Sequence, residues 1–302
     1  NIFAMIRNLS GRPLRCTEDF HNRLVVITGA TSGIGYATAR KYAAHGADFL
    51  FVNRNEQKTM DLCDALKQEY NTDCAYLIAD FSKKSDVHQA ARELSFLERD
   101  IDVLIHNAGI YNTSRILTEE GIESVFQTNY LSTFILNYNL RQKLIKQKKG
   151  RIIYVNSEAY RFMVSGLHFD DLFWEKHRYS GLMSYGSAKL AQLLSMIKFD
   201  ELFRGSGITI NAMHPGNVRT NSGQNNGRVY KFFKKIFVDR SAQPVEDSAE
   251  ALYTLGVSPH LDGISGRFFN LTTEEEPAPP ALDRKAADRL WEISLKLGGL
   301  HE

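Results

Sequence analysis

Tyr185 and Lys189 stand four residues apart in the segment Tyr185-Gly186-Ser187-Ala188-Lys189. On a helix this spacing puts a phenol and an ammonium on one face. An isolated tyrosine titrates near about 10, too high for acid–base work at neutral pH, and a neighbouring cation favours the phenolate. Alone, such a pair is common on helix surfaces. Upstream, however, Thr28-Gly29-Ala30-Thr31-Ser32-Gly33-Ile34-Gly35 follows the apolar run Leu24-Val25-Val26-Ile27. Gly29 permits a tight turn out of the strand, and Gly33 and Gly35 let a diphosphate and the sheet approach the helix start. With Thr31, Ser32 and Ile34, they form a cradle whose free N–H groups and positive helix end suit phosphates. The two motifs together predict hydride transfer on a dinucleotide, with tyrosine as the acid/base.

Other residues fall where such a site needs them. About 20 residues beyond the cradle an acidic side chain would hold the adenosine ribose. Here Asn53 is followed by Arg54, which favours NADP(H) over NAD(H): a carboxylate is missing and a guanidinium is added. Asp80 and Phe81 end the third strand, where the Asp80 carboxylate can accept from an adenine amino group or cap the next helix. Asn107-Ala108-Gly109 ends the fourth strand, small enough for the cofactor to approach and with an amide able to tie neighbouring strands. Ser157 follows the fifth strand, where its hydroxyl can donate to a carbonyl oxygen or cap a turn. Asn129 lies inside a helical pattern that asparagine disfavours, which suggests a functional reason.

The elements that must position these residues are short apolar runs alternating with helical patterns. The runs are 24–27, 49–52, 76–79, 103–105, 152–155, 208–213 and, weakly, 267–269. They read as strands buried on both faces. The helical patterns cover 33–45, 55–70, 84–99, 118–148, 182–205, 244–257 and 283–297. The alternation predicts an α/β fold: a single doubly wound Rossmann-type domain with a mainly parallel sheet of about seven strands. Residues 1–22 read as an N-terminal extension, 23–302 as the dinucleotide-binding domain, about 217–243 as a substrate lid, and 271–282 as an exposed connection.

Composition narrows the functional classes. The 302 residues carry 37 basic and 35 acidic side chains, a balance that argues against nucleic acid as a partner. No apolar run approaches the ~20 residues of a membrane span. Cys16, Cys63 and Cys74 show no metal-ligand spacing, so no metal is expected, and their scarcity points to a reducing, cytoplasmic setting.

On these residues the chain resembles the short-chain dehydrogenases/reductases, and within them the retinol-dehydrogenase-like branch. The resemblance spans about 23–300 and rests on the glycine cradle, Asn107-Ala108-Gly109, the Asn129, Ser157, Tyr185 and Lys189 set, and His214-Pro215-Gly216-Asn217-Val218-Arg219-Thr220. It implies that Tyr185 is the acid/base, that Lys189 binds ribose and tunes the tyrosine, and that Ser157 orients the substrate oxygen. It also implies that Asn129 holds a relay water and that Pro215, Gly216, Val218 and Thr220 meet the nicotinamide. Two departures stand out: His106 replaces a common Asn, and Asn156 a common Ser.

The substrate implied is a small-molecule carbonyl or alcohol, an apolar aldehyde, ketone or alcohol, on a chain that can form a homo-oligomer. Tyr160, Phe162, Met163, Val164 and Leu167 could line its pocket or pack the core. Tyr230-Lys231-Phe232-Phe233-Lys234-Lys235-Ile236-Phe237 could close over it or touch a membrane surface. The rival readings are a cofactor-sensing regulator or scaffold with little turnover, and a steroid or quinone reductase.

Overall fold

The structure, a computed structural model, describes residues 12–216 and 243–301. The expected Val218 and Thr220 contacts and nearly all of the expected lid lie outside the described residues.

The chain alternates strand and helix from the start. β1 (Leu24–Thr28), α1 (Gly33–Ala43), β2 (Asp48–Asn53), α2 (Glu56–Tyr70), β3 (Cys74–Ile78), α3 (Lys84–Ser95) and β4 (Val103–His106) form the first half. The second half holds α4 (Ser132–Gln147), β5 (Gly150–Val155), α5 (Gly181–Phe203), β6 (Ile208–His214), α6 (Val245–Val257), β7 (Phe268–Asn270), β8 (Thr273–Glu275) and α7 (Arg284–Gly298). The strands form one sheet in the order β3-β2-β1-β4-β5-β6-β7-β8, parallel from β3 to β7. This is the single doubly wound fold expected from the alternation.

The sheet's period of two sorts its side chains between two cores. Leu24, Val26, Leu50, Val52, Leu104, Ile152 and Tyr154 face α3, α4, α5 and α7. Val25, Ile27, Phe49, Phe51, Ile105 and Ile153 face α1, α2 and α6. Because β1 and β4 pair in register at Thr28 and His106, their carboxyl ends open side by side. In open α/β sheets the ligand crevice forms there.

Two boundaries differ from expectation. The sheet has eight strands, because Thr273–Glu275 pairs antiparallel with β7 instead of forming an exposed connection. Its charged, largely solvent-facing residues suit an edge strand, which hides it from hydrophobic patterning. The long helix expected from 118 begins only at 124: Glu123 accepts from the Val125 and Phe126 N–H groups at 3.1 and 2.9 Å and caps a single turn, Ser124–Phe126. A π-helical turn, Gln127–Leu131, then leads into α4. The N-terminal extension is strapped down from Leu14 onward. Phe20 is buried against Tyr42, and Thr254 Oγ1 donates to the Leu14 carbonyl at 2.9 Å.

Candidate active site

The cradle is built by close approach. A Cβ at Gly35 would stand 2.4 Å from the Gly29 carbonyl oxygen and 2.5 Å from Asn107 Nδ2. Any side chain there would force β1 and α1 apart. Gly33 has φ of +57° and nothing within 4 Å of a Cβ position, so it faces open space in a left-handed conformation. Ser32 caps α1 in extended conformation without a side-chain hydrogen bond, and the first turn carries no acidic residue. Those N–H groups and the positive helix end thus remain available to an anion.

Neighbouring strand ends are stitched to this turn. Asn107 Nδ2 donates to the Thr28 and Gly29 carbonyls at 3.2 and 2.7 Å, the tie expected of its amide. The Thr28 hydroxyl oxygen accepts from the Asn107 and Ala108 N–H groups, both at 3.0 Å. Sequence reasoning had not singled out Thr28 for this. Gly109 is exposed, and a Cβ there would come within 3.3 Å of Asn129 Oδ1.

Asn53 is buried at the end of β2, where its Oδ1 accepts from the Ala30 N–H at 2.7 Å. Its Nδ2 is buried without a partner. A buried orphan donor at the sheet's ligand edge fits a ribose or phosphate oxygen. Arg54, next to it, is exposed. The third strand end behaves otherwise. Asp80 Oδ1 accepts from the Ser82 N–H and hydroxyl at 2.9 and 2.8 Å and holds the turn before α3, whose N-cap is Lys83. Phe81 turns its ring into the core, and its carbonyl accepts from Gln127 Nε2 at 3.2 Å. Pro215 and Gly216 follow β6. Gly216 has φ of +77°, and a Cβ there would meet Gln243 at 2.4 Å.

The fifth strand end brings up the second motif. Ser157 is half-buried, and its Oγ accepts from the Ala159 N–H at 3.2 Å, capping the short 3-10 turn Glu158–Phe162. That bond uses an oxygen lone pair and leaves the hydroxyl proton available to another acceptor. α5 presses on this turn so tightly that a Cβ at Gly186 would lie 2.6 Å from the Ala159 carbonyl oxygen. The glycine after Tyr185 therefore lets the helix bearing Tyr185 and Lys189 reach the turn that follows Ser157.

Tyr185 is half-buried, its ring 5.7 Å from that of Tyr111 and 5.6 Å from Lys189 Nζ. Lys189 is buried and donates to the Val155 carbonyl at 2.8 Å and to Gln192 Oε1 at 3.1 Å. Burial pulls its ammonium down to about 7.

Asn129 sits on the π-helical turn and is fully buried. Its Oδ1 accepts from the Ile110 N–H at 2.7 Å, and its Nδ2 donates to the Ile110 carbonyl at 2.9 Å. The side chain clips the loop after Gly109 to the helix. These two bonds use one position on each amide atom, and the Asn129 main-chain carbonyl accepts from Gln192 Nε2 at 2.8 Å. Single π turns recur where a helix must re-aim residues near a site.

Two further buried groups tie these elements together. Glu123, fully buried, also accepts from the Ser184 hydroxyl at 3.0 Å, joining the start of α5 to the turn before α4. Burial raises its carboxyl, against the four hydrogen bonds it accepts. His106 donates from Nε2 to Asn137 Oδ1 at 2.8 Å, and Asn137 Nδ2 donates to the Tyr154 hydroxyl at 2.7 Å. Of the candidate pocket residues, Tyr160, Met163 and Leu167 are core, while Phe162 and Val164 are exposed at 43% and 81%.

No group of three or more metal-binding side chains occurs among the described residues. Among them, too, no helix is long and apolar enough to cross a membrane.

A parallel doubly wound sheet with a glycine cradle at its carboxyl edge defines a nucleotide-binding α/β fold. Comparison with known proteins agrees. Residues 23–168 match the family model for short chain dehydrogenases. Over 297 residues the chain is 33% identical to retinol dehydrogenase 14 of Homo sapiens, covering 93% of this chain and 87% of the relative. It is 30% identical to the WW domain-containing oxidoreductase of Gallus gallus, over 93% of this chain and 69% of that protein. A solved structure of an uncharacterized protein from Mycobacterium Paratuberculosis superposes with a TM-score of 0.73 at 27% identity, covering 97% of both chains. The chain belongs to the short-chain dehydrogenase/reductase family of oxidoreductases and is retinol-dehydrogenase-like.

Proposed function

We propose that the protein interconverts a lipophilic alcohol and its aldehyde or ketone, using NADP(H). The observation that carries this reading is the convergence of three groups at the carboxyl edge of the sheet. They are the glycine cradle, the Ser157 turn, and the helix face bearing Tyr185 and Lys189, with Gly186 allowing helix and turn to meet. A bound nicotinamide ring supplies or accepts the hydride.

The chain's own groups do the rest. Gly29 to Gly35 and the start of α1 bind the diphosphate. Asn53 and Arg54 would hold the adenosine ribose and its 2′-phosphate, and Pro215 and Gly216 would hold the nicotinamide; the same role is proposed for Val218 and Thr220, which lie outside the described residues. Ser157 donates its hydroxyl proton to the substrate oxygen and orients it. Tyr185 delivers a proton to that oxygen in reduction and takes it back in oxidation. Lys189 favours the phenolate when charged. Asn129, through its grip on Ile110, fixes the loop on the far side of the cofactor edge.

Turnover measured with a panel of apolar aldehydes, ketones and alcohols, using both nicotinamide dinucleotides, tests this reading. Activity confined to the lipophilic members with NADPH or NADP is expected, and cofactor binding without turnover of any of them refutes it. The cofactor preference has its own test. Arg54→Ala should reduce the ratio of NADPH to NADH affinity about tenfold, the size of one lost charge-assisted contact. Calorimetric titration of native and variant protein reads it, and an unchanged ratio would remove Arg54 from cofactor selection.

A further inference from the structure

Lys189, Asn129 and Ser157 come from three different elements, and the structure joins them through two side-chain amides. Gln192 lies one turn beyond Lys189 on α5. Its Oε1 accepts from Lys189 Nζ at 3.1 Å and from Asn156 Nδ2 at 3.1 Å, while its Nε2 donates to the Asn129 carbonyl at 2.8 Å. Asn156 completes the circuit. Its Nδ2 also donates to the Lys189 carbonyl at 3.0 Å, and its Oδ1 accepts from the Ser157 N–H at 2.8 Å.

The orientation of the Gln192 amide is dictated by its neighbours. Reversing it would aim an NH2 group at an ammonium and at another NH2, and would set its oxygen against the Asn129 carbonyl oxygen. Gln192 and Asn156 are 0% and 1% exposed. Buried amides are costly unless fully paired, and an apolar residue would fill the same space. A glutamine at this place therefore needs a reason beyond packing. The reason is visible in what it touches: of all the side chains in this network, it alone accepts a hydrogen bond from the Lys189 ammonium.

We propose that Gln192 is a positioning residue for Lys189: it and Asn156 form an amide clamp that holds the lysine Nζ at the end of β5 and locks it to the Asn129 turn and to Ser157. This inference rests on the proposed reaction, in which Lys189 tunes Tyr185. Without the clamp, Nζ keeps only the Val155 carbonyl and is free to swing from the phenol. The ionisable groups facing Lys189 are Tyr185 on its own helix and His106 at the end of β4, the latter held neutral by burial. An oxygen acceptor on Nζ stabilises its charged form, so the clamp also bears on how much ammonium is present at neutral pH.

The test uses the whole chain and two substitutions. Gln192→Met removes both polar ends at similar volume, and Gln192→Glu keeps the shape but places a carboxylate beside Nζ. In the cofactor-free protein, nuclear magnetic resonance of the lysine side chains reads the Lys189 midpoint, assigned by its loss in Lys189→Met. The midpoint should fall in Gln192→Met and rise in Gln192→Glu, by about one unit each way. With cofactor and substrate, Gln192→Met should lower kcat about tenfold, the scale of a catalytic group slightly misplaced, with the KM for the dinucleotide nearly unchanged. A Lys189 midpoint that stays put in either folded variant overturns the clamp. If Gln192→Met does not fold, the glutamate variant decides alone. A midpoint that moves as expected while Tyr185→Phe remains active would uphold the clamp and defeat the proposed reaction instead.

Discussion

Tyr185→Phe should abolish turnover while leaving the protein folded and able to bind cofactor. The phenylalanine keeps the ring that packs 5.7 Å from Tyr111 and 5.6 Å from Lys189 Nζ, and loses only the hydroxyl. General acid–base catalysis by one positioned group contributes about 10²- to 10⁴-fold, so a fall in kcat of roughly 10³-fold is expected. Dinucleotide affinity should change little, because most of its contacts come from the cradle at the other end of the crevice. Rapid-quench or steady-state rates at saturating cofactor read the first quantity, and fluorescence titration the second. A variant with near-native kcat would show that another group handles the proton, and the role given to Tyr185 would be wrong.

The parts of this site that were legible in the sequence are those whose chemistry is local. A glycine triplet after a buried strand can be read because glycine takes the left-handed φ of Gly33 without strain and only glycine tolerates the approach at Gly35. Tyr185 and Lys189 can be read because helical periodicity places them on one face. Strand and helix alternation gave the doubly wound sheet for the same reason. What escaped was set by contacts between distant segments. The capping of the turn after Glu123, and hence the late start of α4, depends on a side chain that also reaches Ser184 on α5, 61 residues away. Gln192 lay within reach of inference, since i, i+3 spacing puts it beside Lys189, yet its second partner is a carbonyl 63 residues distant. β8 was hidden because an edge strand of Thr273-Glu274-Glu275 has no apolar alternation to report. Asp80 and Phe81 carry structural work besides the cofactor role expected of them: one holds a turn and the other fills the core.

His106 provides the second large effect, on stability. It is 1% exposed and donates from Nε2 to Asn137 Oδ1, because the Asn137 amide nitrogen is already committed to the Tyr154 hydroxyl. A second proton would have to sit on Nδ1, which is buried with no partner, in the neighbourhood of the Lys189 charge. Burial accordingly holds the imidazole down to about 4, against an ordinary value of 6.5. Between those two values the unfolded chain binds a proton that the folded chain refuses. Stability must then fall as pH is lowered through this window, at about 1.4 kcal/mol per pH unit, or about 3 kcal/mol across it. Above about 6.5 the histidine is neutral in both states and contributes no slope. His106→Asn removes the titrating group. Whatever its stability at pH 7, the variant should gain on the native protein by about 3 kcal/mol as pH drops to 4, since it escapes that proton. Urea unfolding of both proteins at half-unit intervals of pH measures the difference directly, and carboxylates common to both cancel. Two curves that stay parallel from pH 7 to 4 would mean that the folded protein accommodates a charged His106, and that the bare Nδ1 finds an acceptor in solution.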